Sequence, residues 1–402
     1  PNDQDVLVYE RPDNKEYFVG GSVTDDGRYF IITVGQGTRP QNMVYYKDLE
    51  AKDSKIIPMF ETLDFDYSFI DNVGTKFYFS TDNKASLKRV ISVDIADGNK
   101  VTEIVPEAKE TLVGVNMVNN QIVTNYLKDA YTQIRIYDLK GKFVRNVQLP
   151  GIGSAGGFGG KRTDAETFYS YSSFNAPPTI FRYNMKTGRS SVFRESKVDF
   201  DPKNYEVKQV FYSSKDGTRV PMFIVHKKGL KLDGTNPTML YGYGGFNINM
   251  TPGFSVSRLV WMEMGGVYAV PNIRGGAEYG EKWWRSGIKL QKQNVFDDFI
   301  AAAEYLIASK YTSPAKLAIS GGSNGGLLVG ATLNQRPDLF GAALPAVGVM
   351  DMLRFEKFTI GWAWTSDYGS VQNKDEFGAL YKYSPLHNIK KGGKYPAVLV
   401  TT

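Results

Sequence analysis

The chain has no cysteine. That removes disulfides, cysteine nucleophiles and thiolate metal sites, and it fits a reducing compartment, so a cytoplasmic location is expected. Histidine is scarce too, with only His226 and His387 among 402 residues. Any chemistry that needs an imidazole therefore has few candidates. No apolar run approaches 18 residues, and no membrane span is expected. Residues 1–5 lack the basic and apolar regions of a signal peptide, and the first residue is not Met. The chain is therefore expected to begin inside a longer product. Charge of one sign is not concentrated anywhere. The net charge is +6, but Lys and Arg are scattered. That pattern describes a solvated surface and not a nucleic-acid groove, so no nucleic-acid partner is expected.

What is present falls into two halves. The expected boundary puts residues 1–198 in one domain and 199–402 in the other, a division in keeping with the chain's length. In the first half, aromatic and β-branched runs alternate with Asp-Gly, Asn-Gly and Lys-Gly turns, which predicts short strands throughout. A weak repeat runs through it. Asp48, Asp94, Asp138 and Asn184 each follow a Tyr- or Val-containing run, at intervals in the mid-forties. Four short strands per repeat at that period predict propeller blades rather than a generic sandwich. Four such repeats are visible, which predicts either a four-bladed propeller or a part of a larger one. The Gly-rich stretch 151–161 lacks the Gly-Lys-Ser/Thr ending of a phosphate loop and is expected to be an inter-blade loop. Residues 199–203 read as a hinge.

In the second half the pattern changes. A hairpin is predicted over 206–214 and 218–226 around Asp216-Gly217, with short strands at 238–241 and 266–270. A helix is predicted over 294–309 from the spacing of Phe296, Phe299, Ile300, Ala303, Leu306 and Ile307, with Asp297 and Asp298 suited to its N-terminal turn. Strands follow at 315–320, 341–347 and 396–402. Strands alternating with helices predict a mostly parallel sheet.

One stretch carries the chemistry. Gly321-Gly322-Ser323-Asn324-Gly325 is a G-x-S-x-G motif between a predicted strand and a predicted helix. In that setting the turn is strained, the serine hydroxyl is pushed out above the sheet, and the glycines allow strand and helix to approach. Ser323 is the predicted nucleophile. The backbone N–H of Asn324 opens the helix and points where an oxyanion would form. The stretch Tyr241-Gly242-Tyr243-Gly244-Gly245-Phe246 follows an early strand, where hydrolases of this architecture keep the second oxyanion donor. The donor there is a backbone N–H or the Tyr243 hydroxyl. The expected fold is thus an α/β-hydrolase domain joined to an all-β propeller. A serine nucleophile also needs a base and an orienting acid, in chain order Ser, Asp or Glu, His. His226 precedes the serine by nearly a hundred residues. His387 precedes the strand after which the acid is expected. Neither is in place to be the base, His387 is predicted to be a structural or surface histidine, and the acid and base are expected beyond Thr402.

These motifs, with Asn272-Ile273-Arg274-Gly275-Gly276, Gly348-Val349-Met350-Asp351, Trp364-Thr365-Ser366-Asp367-Tyr368-Gly369 and Tyr383-Ser384-Pro385-Leu386-His387, resemble those of the prolyl oligopeptidase family across essentially all 402 residues. The resemblance implies a seven-bladed propeller capping the hydrolase domain, with small proline-containing peptides cleaved on the carboxyl side of proline. It implies that Ser323 is the nucleophile and that Tyr243, through its hydroxyl, and Asn324, through its N–H, form the oxyanion hole. It also implies that Phe246, Val349, Ile360, Trp364 and Tyr368 line the proline pocket. Proline is a flat apolar ring with no N–H to satisfy, so aromatic and aliphatic walls suit it. No cofactor, no metal and no membrane are implied, and a monomer is expected. Two alternatives stand beside hydrolysis. One is a ligase or macrocyclase of the same family. The other is an inactive propeller–hydrolase binding module, if the polypeptide ends at Thr402.

Overall fold

The computed structural model describes residues 4–402. Residues 17–195 form four consecutive sheets, each of four antiparallel strands paired in chain order. They are blades of a propeller. The repeat anchors have a local cause. Asp48, Asp94, Asp138 and Asn184 are each the last residue of a blade's third strand. Each side-chain Oδ1 accepts the N–H two residues on, from Glu50, Ala96, Lys140 and Lys186 respectively. The short polar side chain thus closes the turn into the fourth strand, which is why only Asp and Asn occupy the position.

Alternation along the strands builds the cores between blades. In the strand Lys76–Thr81, Phe77 and Phe79 pack with Ile91 of their own blade toward Tyr29 and Tyr46 of the first. Tyr78 points the other way, to Leu112, Ile122 and Tyr126 of the third blade. In the strand Gln121–Lys128, Val123 turns to Phe158, Tyr169 and Tyr183 of the fourth. Successive side chains of a strand leave on opposite faces, so one strand serves two neighbouring cores.

The Gly-rich stretch corrects its expectation. Residues 154–159 are not a loop but the first strand of the fourth blade, Ser154–Gly159, with a bulge between Gly157 and Gly159. Gly157 answers crowding, whereas Gly156 and Gly159 have open space around them. A Cβ on Gly157 would lie 2.8 Å from Phe168 O, in a backbone at φ +111°. Buried Phe158 then stacks on Tyr169 at 4.6 Å. The reading as a loop failed because glycine is uncommon in strands unless another backbone comes close.

The second half holds a seven-stranded sheet. Its spatial order is Tyr205–Ser213, Arg219–Lys227, Val267–Pro271, Thr238–Tyr241, Leu317–Gly322, Ala342–Ala346, Ala397–Val398. The first two strands form the expected hairpin, and the last five are parallel. The chain leaves Thr238–Tyr241 for a neighbour on one side and later returns to the other side at Leu317–Gly322. Loops leaving the two strands therefore diverge at a topological switch point, where open α/β sheets bind ligands. The helix Gln293–Ala308 buries Val295, Phe296, Phe299, Ala302, Ala303 and Leu306 against this sheet. Asp298 differs from its expected role in the helix's first turn. It lies fully buried on the sixth residue and binds Arg274. The helices Val256–Glu263, Glu281–Arg285 and Lys374–Tyr383 were not anticipated. None of the described helices is long and apolar enough to cross a membrane.

All four blades touch the sheet domain. Thr38 Oγ1 meets Ser366 Oγ at 2.8 Å, and Ser86 O accepts Glu281 N at 3.0 Å. Thr111 Oγ1 donates to Glu278 O at 2.9 Å, and Tyr279 OH donates to Asp129 Oδ1 at 2.8 Å. Ser154 Oγ donates to Pro252 O at 2.6 Å.

Candidate active site

Ser323 stands between the strand Leu317–Gly322 and the helix Asn324–Gln335, with φ +56° and ψ −117°. A non-glycine residue there is strained, and the side chain is thrust outward, where Ser323 is exposed. The flanking glycines are required by contact. A Cβ on Gly321 would lie 2.4 Å from Gly325 O, and one on Gly325 would lie 2.6 Å from Gly242 O. Strand, helix and the loop after Tyr241 therefore meet backbone to backbone. Gly322 has nothing closer than Ala346 O at 4.0 Å, so the close approach rests on its neighbours.

The loop 241–246 wraps the same point. Tyr243 is half-buried. Burial pushes its phenol up, and a hydrogen bond with Ser323 is the first influence in the opposite sense. The two hydroxyls thus share one small space. Gly244 has φ +66°, and a Cβ there would strike Val295 and Ile273. Phe246 has φ +55°. As first residue of its helix, Asn324 has an N–H with no intrahelical acceptor. Its side chain is fully engaged elsewhere. Nδ2 donates to Tyr243 O at 2.5 Å, and Oδ1 accepts from Lys292 Nζ at 3.1 Å and Tyr368 OH at 3.1 Å.

Beside the serine lies an aromatic floor. Phe246, Phe355 and Trp364 each meet the Tyr368 ring edge to face, at 5.3, 5.3 and 6.5 Å. Tyr368 itself is buried and its hydroxyl is committed to Asn324, so it offers only its ring. Val349 is half-buried against the same core. Ile360 lies on the turn that leads into Gly361–Trp364, 47% exposed.

Neither histidine pairs with Ser323. His226 is buried, with Nδ1 2.8 Å from Lys227 O and its ring near Tyr311. His387 Nδ1 lies 2.8 Å from Ser384 Oγ.

Two functional neighbours escaped the sequence reading. Lys292 is wholly buried, and its Nζ also donates to Gly244 O at 3.0 Å and lies 3.5 Å from Asp367 Oδ1. Burial lowers the lysine's pKa, and Asp367 opposes that shift. Asp367 Oδ2 accepts Phe246 N at 2.9 Å and Trp284 Nε1 at 3.0 Å. Asp367 lay inside a recognised motif without a role, and Lys292 sat in a run of polar residues that reads as solvated surface.

The prolyl oligopeptidase N-terminal beta-propeller model matches residues 1–196, and the prolyl oligopeptidase family model matches residues 252–402. The chain belongs to the prolyl oligopeptidase family. It is 48% identical to a prolyl endopeptidase of Elizabethkingia meningoseptica over 402 residues, covering 99% of this chain and 57% of that protein. A solved prolyl endopeptidase structure superposes with a TM-score of 0.94 at 44% identity, over 99% of this chain and 58% of the other. Prolyl oligopeptidase B of Galerina marginata, bound to a 35mer hydrolysis and macrocyclization substrate, gives a TM-score of 0.96 at 37% identity, over 99% and 58%. The chain spans a little over half the length of the curated relatives it matches.

Proposed function

We propose that this chain carries the nucleophile and the proline pocket of a serine endopeptidase that hydrolyses short peptides on the carboxyl side of proline. One observation carries the reading: a strained, exposed Ser323 neighbours Tyr243, and Asn324 next to it accepts the hydroxyl of Tyr368 in the Phe246–Trp364–Tyr368 floor. In this scheme a prolyl ring lies on the floor, with Val349 beside it, and its carbonyl carbon faces Ser323 Oγ. Oγ attacks, and the carbonyl oxygen becomes an oxyanion that accepts hydrogen bonds from Tyr243 OH and Asn324 N–H. The tetrahedral intermediate collapses to an acyl-enzyme as the amine leaves with a proton, and water then releases the acid. The base that takes the Oγ proton is neither His226 nor His387, whose rings are bonded elsewhere. Ile360, exposed on the turn before Trp364, would add a further apolar wall.

The test uses the intact protein and a blocked Gly-Pro amide. Ser323→Ala is expected to lose roughly 10⁴- to 10⁶-fold in kcat; full turnover by that variant sinks the reading. Trp364→Ala is expected to lower kcat/KM on Gly-Pro about tenfold or more while sparing Gly-Ala, since one apolar wall is worth about 1–3 kcal/mol. An equal loss on both substrates removes Trp364 from the pocket.

A macrocyclase is a second reading, favoured by the likeness to Prolyl oligopeptidase B. An amine of the same peptide would then replace water in the attack on the acyl-enzyme. A product lighter than the linear acid by one water, seen by mass spectrometry, distinguishes the two. A pure binding module is excluded if a serine-reactive phosphonate labels Ser323.

A further inference from the structure

We propose that the buried Lys292–Asp367 pair is a positioning device that locks the Tyr243–Phe246 loop to the Ser323 elbow and to the aromatic floor, and so governs turnover and proline selectivity together. The inference rests on the peptidase reading above.

The pair sits where three active-site segments converge. Lys292 is 1% exposed, and its ammonium has three N–H donors. Two of them reach acceptors, Gly244 O at 3.0 Å and Asn324 Oδ1 at 3.1 Å, and Asp367 Oδ1, which has no hydrogen-bond partner, lies 3.5 Å away as the counter-charge. Gly244 follows the Tyr243 donor, and Asn324 follows the nucleophile. Asp367 adjoins Tyr368, and its other oxygen holds Phe246 N and Trp284 Nε1. The loop is thus pinned at residue 244 by the cation and at residue 246 by the anion. Asn324 joins the two ends through Tyr243 O and Tyr368 OH. The lysine also lies 5.3 Å from the centroid of the Tyr368 ring.

A fold needs no charges here, because a buried ion pair replaced by apolar groups of similar size is often neutral in stability. Placement is a stricter demand. The loop carries two residues at positive φ, Gly244 and Phe246, and would relax if untied. A shift of about 1 Å in an oxyanion donor lowers rate by about 100-fold. Neither Lys292 nor Asp367 touches substrate in this arrangement, so both act through Tyr243, Phe246 and Ser323.

The experiment compares Lys292→Met, Asp367→Asn and the double variant in the intact protein. Three readouts are taken: kcat and KM on Gly-Pro and Gly-Ala amides, the rate of phosphonate labelling at Ser323, and Tm. Asp367→Asn keeps an acceptor for Phe246 N and Trp284 Nε1, so it is the variant designed to stay folded. Each single variant is expected to lose about 100-fold in kcat, with a smaller change in KM, and to lower the Gly-Pro to Gly-Ala ratio. Phosphonate labelling is expected to slow in parallel. The double variant is expected to recover Tm, because no charge is left unpaired, while kcat and the ratio stay low. Recovery of kcat along with Tm, or single variants with normal kcat, labelling and ratio, overturns the proposal and leaves a purely structural pair. If the unaltered protein labels at Ser323 but cleaves neither amide, the peptidase reading fails, and the labelling rates still decide the role of the pair.

Discussion

Glu278 shows how much one buried atom can weigh. Its Oε1 accepts Met250 N at 2.7 Å and Asn272 Nδ2 at 3.3 Å, while Oε2 is buried with no partner. Burial pushes the carboxyl up from 4.5 to about 7, against the pull of those hydrogen bonds. A folded-state pKa above the unfolded one means the fold prefers the protonated acid. Glu278 therefore contributes its full stability below about pH 4.5 and loses it as pH rises through about 7. A shift of that size corresponds to about 3 kcal/mol. Glu278→Gln keeps the acceptor and cannot ionise. The variant is expected to match the unaltered protein in Tm near pH 4.5 and to exceed it at pH 8. A difference in Tm that does not vary with pH would show that the carboxylate is compensated. Asn324 gives a second lesson at this scale. Its N–H was expected to serve the oxyanion, and the structure leaves that group free of helical bonding, but its side chain has the separate task of tying down Tyr243.

At the scale of elements, the blades are held by repeated small devices. Asp138 is the clearest, because its Oδ1 accepts both Lys140 N and Lys142 N at 2.9 Å. Asp138→Ala leaves two turn N–H groups without that partner. It is expected to destabilise the domain by about 1 kcal/mol. Asp138→Asn is expected to be close to neutral, since Asn184 does the same work in the next blade. Urea unfolding of the two variants checks the pair of expectations, and equal midpoints would remove the Asx turn from the explanation. Such devices are legible in a sequence because they act within a few residues. The elbow is legible for the same reason, since Gly321 and Gly325 are fixed relative to Ser323 by one strand end and one helix start. The strand Ser154–Gly159 was not legible, because what makes glycine necessary at Gly157 is the backbone of another strand.

At the scale of the whole molecule, the sheet domain meets the propeller through one loop above all. Residues 278–281 supply the bonds to Thr111, Asp129 and Ser86. A Cβ on Gly280 would lie 2.2 Å from Ser86 O, so the loop approaches the blade backbone directly. Tyr279→Phe removes the bond to Asp129 alone. About 1 kcal/mol less closure is expected, which raises amide exchange at Glu281 roughly fivefold and leaves the strand Gln121–Lys128 unchanged. Unchanged exchange at Glu281 would mean that the loop's bonds to Thr111 and Ser86 and the apolar packing suffice to hold it.

The sequence by itself determined the blade period, the α/β order of the second half, the elbow serine and the glycine loop beside it. Each of these depends on residues a few positions apart, where spacing and chirality leave little choice. Only the tertiary structure decided that Lys292 is a buried hub, that Asp367 is its partner and that Asp298 serves Arg274. Lys292 and Asp367 are distant in sequence, and a polar residue in a polar run looks solvated until packing from other segments excludes the water around it. Charge in a sequence carries no record of its burial, and burial is what turns these two side chains from surface groups into the tie between three parts of one site.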